Sequence, residues 1–302
     1  MNIEDIEIFS NKISGKLYFD YDLKKTNWFN IGGKSKIFFK PEKLEELIEF
    51  LKIYKNRGKI FIIGAGSNVL MSDKLYDGAI IKLGRNFSKI SLLNETTIIA
   101  GSSASDKQVS EFAKENDIGG FEYLSCIPGS VGGGIRMNTG CFNYEIKDTL
   151  VSVQAVNFSG QVITILKKDI NFNYRECNLP KDLVFLSATF KGEKKASTLI
   201  QKKIEELKEK KEIAQPTKIK TGGSTFKNPK GLSNKKVWEL INSSVALNTK
   251  FGDASISSKH CNFLVNKNNA TFNDMQKLIY HIKNEVKKKT GIEIQLEIVL
   301  VE

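Results

Sequence analysis

Histidine and cysteine are both scarce in this chain, with two of the first and four of the second in 302 residues. Cys126, Cys141, Cys177 and Cys261 are widely scattered, form no C-x-x-C pair, and have only His260 and His281 to join them. That spacing offers no tetrahedral ligand set, so no metal site is expected and the thiols are expected to be free and buried. Hydrophobic runs are short as well. None approaches the roughly 18 apolar residues of a membrane-spanning helix. The opening Met1-Asn2-Ile3-Glu4-Asp5-Ile6-Glu7 is acidic where a secretory leader would be basic and then apolar. A cytoplasmic protein with no membrane contact is expected. Regular strand–helix alternation is missing too, which argues against a doubly wound Rossmann sheet. No internal repeat or low-complexity tract occurs, and the length suits two or three domains.

What the chain has in quantity is positive charge, a formal +12. Lysine supplies most of it, largely in mixed Lys/Glu runs such as Lys202 to Lys211, the pattern of a solvated helix face. Aromatic and basic residues do not interleave as in RNA-binding surfaces. The surplus therefore reads as solubilising charge, with a small anionic ligand favoured over nucleic acid.

Periodicity gives a coarse order of elements. Residues 4–25 form a charged lead-in, read as a short helix. Ile37-Phe38-Phe39 reads as a strand, and Pro41 opens an amphipathic helix with Leu44, Leu47, Ile48 and Leu51 on one face. Ile60-Phe61-Ile62-Ile63 is a buried strand ending in a glycine turn. Strands follow at 79–81 and 97–100, then a helix over 106–116 with Ser105 as its cap. A long glycine-rich loop spans 127–140. Residues 151–158 and 161–166 form a hairpin around Ser159-Gly160, and 183–190 is a further strand. A charged helix over 197–213 ends before Pro216 and marks a boundary. Beyond it come a glycine turn at 222–231, a helix near 235–247, a strand near Phe263, a helix over 273–289 and a final strand over 292–301.

Two glycine loops carry the first chemical signal. Gly64-Ala65-Gly66-Ser67-Asn68 follows a buried strand, where glycine permits positive φ and close approach of backbone N–H groups to a ligand. A third glycine would complete a dinucleotide fingerprint, but that position is Val69. The second loop, Ile127-Pro128-Gly129-Ser130-Val131-Gly132-Gly133-Gly134, offers many unencumbered N–H groups, which suits a pyrophosphate. A plain linker would not be flanked by Tyr123-Leu124 and Ile135-Arg136-Met137.

Together with further motifs in fixed order, these loops resemble the UDP-N-acetylenolpyruvoylglucosamine reductase family. The set begins at Thr26-Asn27-Trp28-Phe29-Asn30-Ile31-Gly32-Gly33 and runs through both loops and Tyr174-Arg175. It continues with Gly223-Ser224-Thr225-Phe226-Lys227-Asn228-Pro229, then Gly252-Asp253-Ala254 through His260, Asn262-Phe263 and Asn266, and ends at 291–297. The resemblance implies an α+β protein: an FAD-binding domain of the vanillyl-alcohol-oxidase (PCMH) type, made of subdomains 1–95 and 96–195, plus a substrate domain at 196–302. It implies non-covalent FAD, NADPH as co-substrate and reduction of UDP-N-acetylglucosamine enolpyruvate, with the chain expected to be a monomer. Both histidines lie in the C-terminal half, which agrees with a flavin not attached through histidine. The short span from Gly222 to Trp238 matches the shorter subtype. Cys177, Thr139, Cys141 and Phe142-Asn143 depart from the commonest pattern, which leaves the 139–143 loop unassigned.

On this resemblance Gly64, Ala65, Gly66, Ser67 and Asn68 with Gly129, Ser130, Gly132 and Gly133 would cradle FAD. Arg175, Ser224 and Glu297 match the catalytic positions, and Lys227 and Asn228 would meet the UDP diphosphate. Ser224 would donate the proton that completes the reduction, Arg175 would fork onto the substrate carboxylate, and Glu297 would hold a proton or orient the substrate. Each residue has a plainer alternative. Gly-Gly-Ser-Thr can be a turn with serine as a helix cap, Glu297 can be an exposed charge on an alternating edge strand with Glu293 as competitor, and Asn228-Pro229 is a turn dipeptide.

Overall fold

A computed structural model describes residues 4–216 and 219–302. Residues 1–3, ahead of the charged lead-in, and Thr217 and Lys218 lie outside the described residues. Packing divides the chain into two units. One contains Met1–Asp20, Lys36–Ala65 and Asp77–Lys211, and the other Tyr21–Ser35, Gly66–Tyr76 and Glu212–Glu302. The expected partition at 95 and 195 follows sequence order. Packing instead groups most of the first two expected subdomains together and assigns two early segments to the C-terminal unit.

The first unit holds a five-stranded antiparallel sheet in the order Val162–Leu166, Leu150–Asn157, Leu183–Lys191, Thr97–Gly101, Ile90–Asn94. Its inner face supplies Ile98, Ala100, Val153, Ala155, Phe185 and Phe190 to a core that also takes Val109 and Ala113 of the helix Asp106–Glu115. That helix starts where its cap predicts: Ser105 Oγ accepts from the Gln108 N–H at 3.2 Å, and the Gln108 side chain reaches back to the Ser105 N–H at 2.9 Å. A second sheet runs Lys16–Asp22, Lys34–Lys40, Tyr76–Ile81, Lys59–Ile62, the last two strands parallel. The helix Leu44–Tyr54 covers a separate core in which Phe39 and Phe50 ring centroids lie 4.5 Å apart.

Two expectations change in this unit. The lead-in is a short helix, Glu4–Ser10, followed by the strand Lys16–Asp22. That strand has no fully buried position, so it carries none of the alternation by which a strand is recognised. The expected loop over 127–140 contains a helix, Val131–Arg136. Glycine is a poor helix former, yet here the backbone must lie close to its neighbours. The Val131 and Gly132 N–H groups donate to Ala104 O and Ser102 O at 3.0 and 2.9 Å. A Cβ on Gly134 would stand 3.0 Å from Thr139 and 3.1 Å from Ile146.

In the second unit the strands Lys250–Phe251, Ala254–Ile256 and Leu264–Asn266 form a small antiparallel sheet beside the helices Val237–Ser244 and Phe272–Thr290. The long helix buries Met275, Leu278, Ile279, Ile282 and Val286 along one stripe. Thr271 caps its start, and Gly291 ends it in the left-handed region at φ 74°. The expected strand over 292–301 is regular only at Val299–Val301, which pairs in parallel with Val69–Met71. Upstream of that the chain keeps its alternation, with Ile294 and Ile298 buried, but pairs only briefly, through Leu296 opposite Phe226. Among the described residues no helix is long and apolar enough to cross a membrane, and no group of three metal-binding side chains occurs.

Candidate active site

In the first unit the strand Lys59–Ile62 delivers Gly64 and Ala65 to the second glycine loop. A Cβ on Gly64 would fall on Ser130 Oγ, so both loops meet where only glycine fits. Ser130 is 5% exposed and its hydroxyl has no hydrogen-bond partner among the described residues. Among the described residues the N–H groups of Gly64, Ala65 and Gly133 donate to no protein acceptor. An orphaned hydroxyl and unclaimed N–H groups, with no side chain to obstruct them, fit the diphosphate of a dinucleotide. Gly129 and Gly132 serve close approach: a Cβ on Gly132 would stand 3.0 Å from Ser102 Cβ, and one on Gly129 would strike Asp106 Oδ2.

Beneath this loop lies a group that sequence reasoning missed. Asp106 is fully buried, neither of its carboxylate oxygens has a hydrogen-bond partner among the described residues, and burial pushes its pKa up to about 7. The first position of a helix lowers a carboxyl pKa when solvated; here desolvation wins. Tyr123 is buried close enough for the Asp106 charge to add to the upward pressure that burial puts on its phenol.

Arg175 sits in the two-residue turn between Phe172–Asn173 and Glu176–Cys177, at φ 59°. A bulky side chain rarely adopts that region, which costs about 1–2 kcal/mol. Its Nη2 donates to Gly140 O at 2.7 Å, and its guanidinium carbon lies 5.1 Å from the Tyr174 ring centroid. Asn138, also missed from sequence, pins the same turn. It is fully buried, and its amide donates to Asn173 O at 3.0 Å and Glu145 Oε2 at 3.1 Å. The unassigned 139–143 loop is a tight hairpin of Gly140–Cys141 with Tyr144–Glu145, turned through Phe142 and Asn143 at φ 52° and 69°.

In the second unit Ser224 is not a helix cap. It bridges Phe263 in an extended segment, and the next helix begins only at Val237. Thr225 N–H donates to Asn262 O and Glu297 N–H donates to Thr225 O, both at 2.8 Å, so the Ser224 segment runs between 262–263 and 295–297. Gly223 stands at φ 79°, and Gly222 packs so closely on Phe29 that a Cβ there would enter the ring. The buried Asn262, given no role from the sequence beyond its place in the motifs, clasps the backbone of Phe226 from both sides, accepting at 3.0 Å and donating at 2.9 Å.

The two glutamates differ in environment. Glu293 is exposed and ion-paired to Lys287 at 3.2 Å, whereas Glu297 is half-buried beside the Ser224 segment. Asn68 Nδ2 donates to Glu297 O at 3.0 Å, so a residue expected at the cofactor braces the chain at Glu297. Gly66 stands at φ 72°, with no room for a Cβ against Thr26 O, and Ser67 is half-buried. Asn228 Oδ1 accepts from Val237 N–H at 3.0 Å and so holds the start of a helix; Lys227 is half-buried on the neighbouring position. Cys126, Cys177 and Cys261 are free and buried, but Cys141 is only half-buried, correcting the expectation of four buried thiols.

Comparison with known proteins agrees with these features. Residues 35–166 match the family model of an FAD binding domain, and residues 215–301 match that of the UDP-N-acetylenolpyruvoylglucosamine reductase C-terminal domain. The UDP-N-acetylenolpyruvoylglucosamine reductase of Pelagibacter ubique is 59% identical over 99% of both chains. The one from Rickettsia felis is 41% identical over 95% of this chain and 96% of its own. The crystal structure of UDP-N-acetylenolpyruvylglucosamine reductase from Thermus caldophilus matches at a TM-score of 0.82 and 25% identity, covering 96% of this chain and all of that one.

Proposed function

The chain belongs to the UDP-N-acetylenolpyruvoylglucosamine reductase family of FAD-domain oxidoreductases, and we propose that it uses NADPH to reduce UDP-N-acetylglucosamine enolpyruvate to UDP-N-acetylmuramate for peptidoglycan synthesis. The observation that carries this reading is the meeting of Gly64 with Ser130, where unclaimed N–H groups await a diphosphate. When bound by these residues, FAD would supply the hydride chemistry between NADPH and the enolpyruvyl group.

The remaining work falls to side chains of this protein. Gly64, Ala65 and Gly133, with Gly66, Ser67 and Asn68, hold the cofactor through backbone donors and Ser130 through its hydroxyl, while Gly129 and Gly132 allow the loop its close approach. Arg175 pairs with the substrate carboxylate and stabilises negative charge that develops beside it. Its strained turn, fastened at Gly140 and Asn138, supports a preset position for the guanidinium. Ser224 delivers a proton to the carbon beside the carboxylate. A serine hydroxyl is a weak acid, and it suffices because the carbon it protonates is strongly basic. Glu297 orients or re-protonates this network, and Lys227 and Asn228 meet the UDP diphosphate. The reaction is placed in the cytoplasm, on a monomer.

The deciding measurement is an anaerobic absorbance spectrum. The purified protein should be yellow, bleach with NADPH and recolour on addition of the UDP-sugar. Recolouring by oxygen alone, with no response to the UDP-sugar, would instead indicate an oxidase or dehydrogenase built on the same flavin domain.

A further inference from the structure

Two of the four cysteines meet. The hairpin strand Gly140–Cys141 packs on the 3-10 turn Glu122–Cys126, which brings the Cys126 and Cys141 thiols near enough for each to shift the other's titration. Cys141 Sγ also donates to Tyr123 O at 3.4 Å, and the Tyr123 and Tyr144 rings stack at 5.6 Å and 16°, which fastens the hairpin over the turn. Lys211 Nζ donates to Cys126 O at 2.6 Å, and Ser125 Oγ lies 3.7 Å from Cys126 Sγ. On the other side, Gly140 O is the atom that Arg175 Nη2 holds at 2.7 Å.

We propose that Cys126 and Cys141 are a covalent modification site, a thiol pair that hydroperoxides oxidise to a disulfide, displacing the carbonyl that positions Arg175. The effect on turnover rests on the reductase reading above; the bond itself does not. The two thiols have unequal roles. The Cys141 thiol, then Ser125, Lys211 and Lys208, hold Cys126 below the usual thiol range against the effect of burial. The same contact and burial push Cys141 upward. With the Lys211 ammonium held at its own carbonyl, Cys126 is the sulfur disposed to be the thiolate nucleophile, and the less buried Cys141 the resolving thiol.

The chemistry balances in two steps. The Cys126 thiolate attacks the peroxide O–O bond; an S–O bond forms, the O–O bond breaks, and the distal oxygen leaves as water or alcohol after taking a proton. Cys141 then attacks the Cys126 sulfur; the S–S bond forms, the S–O bond breaks, and water leaves with the Cys141 proton. The two thiols lose two electrons and the hydroperoxide gains them. An S–S bond of about 2.05 Å is far shorter than a thiol–thiol contact. Closure therefore draws the Gly140–Cys141 strand toward Cys126 and takes Gly140 O away from the guanidinium.

The test treats the reduced flavin-loaded protein with stoichiometric hydrogen peroxide. It reads free thiols, intact mass, disulfide-linked peptides and the two half-reactions. Two thiols should vanish from each chain into one peptide joining Cys126 to Cys141. Bleaching by NADPH should continue. Recolouring by the UDP-sugar should slow by at least roughly tenfold, the effect of losing about 1.4 kcal/mol at the transition state, and recover with dithiothreitol. Cys141→Ser and Cys126→Ser should each keep full reactivity after peroxide, and Cys177→Ser should behave as the parent. The proposal is overturned if oxidation falls on Cys177 or Cys261, if it stops at one over-oxidised sulfur, or if the bond forms and both half-reactions keep their rates. A reduced protein that never answers the UDP-sugar would remove the reductase reading, while the peptide map would still decide whether the thiols pair.

Discussion

Replacing Asp106 by Asn should change how the stability of the protein depends on pH. The carboxyl is fully buried, with neither oxygen hydrogen-bonded among the described residues, and its pKa stands near 7 against 3.8 for an exposed group. The folded state therefore holds a proton that the unfolded chain has already released. The stabilising contribution is fully present below about pH 4 and is lost as the pH rises through 7. A difference of roughly three units at 1.36 kcal/mol each puts the loss at no more than about 4 kcal/mol. Asn has the same shape and does not titrate. Its buried amide adds a constant penalty of about 1–3 kcal/mol, which moves the whole curve without tilting it.

The quantity to read is therefore the slope of the difference between parent and Asp106→Asn. Urea unfolding of the flavin-loaded protein, followed by far-ultraviolet circular dichroism at intervals from pH 5 to 9, gives it directly. The parent should lose stability relative to the variant as the pH rises from 5 to about 7 and run parallel to it above about pH 8. Infrared difference spectra should show a protonated carboxyl band that disappears with a midpoint near 7 and is missing in the variant. Parallel stability curves across the whole range, with no such band at pH 5, would refute the assignment of a buried neutral acid.

Ser224→Ala should leave bleaching by NADPH intact while turnover of the UDP-sugar falls by about 10²–10⁴-fold; stopped-flow absorbance separates the two steps, and equal loss in both would remove Ser224 from the proton transfer. Gly64→Ala places a methyl on Ser130 Oγ and should lower the flavin-to-protein ratio of the purified enzyme, read from its absorbance, without unfolding the first unit. Asn138→Ala breaks both donor bonds of a buried amide and should destabilise by about 1–3 kcal/mol, with a fall in kcat for the UDP-sugar if the Arg175 turn loosens; an unchanged kcat would limit Asn138 to a structural role.

Local signals predicted local structure well. The Ser159-Gly160 hairpin was legible because two β-branched, apolar-rich runs flanked a turn dipeptide, and Gly160 does stand at φ 84° with Val156 opposite Val162. The helix Asp106–Glu115 was legible from its cap. The edge strand Lys16–Asp22 was not, since neither of its faces is fully buried and no period marks it. The Val131–Arg136 helix was hidden by glycines that propensity reads as loop, although close packing demands them. The alternation at 292–298 promised a longer ladder than the brief pairing beside Phe226 provides. Long-range pairing, such as Val299–Val301 with Val69–Met71, leaves no mark in either segment alone.

The candidate site divides along the same line. Gly64 and Gly129 announce themselves, because an absent side chain is visible in sequence and means close approach. Arg175 does not, because arginine carries no turn signal and nothing local calls for φ 59°. The strain follows from what surrounds the turn. Asn138 holds Asn173 O and the guanidinium holds Gly140 O, each bond to a charged or buried group being worth about 1–3 kcal/mol. That is enough to offset a left-handed residue. Glycine would fit the turn with less strain but would supply no guanidinium. A chain that keeps arginine here accepts local strain to hold a cation at a fixed place, which is what the proposed pairing with the substrate carboxylate requires. The same dependence makes the carbonyl of Gly140 a point at which Arg175 can be disturbed, and the half-buried thiol of Cys141 is the next residue along the chain.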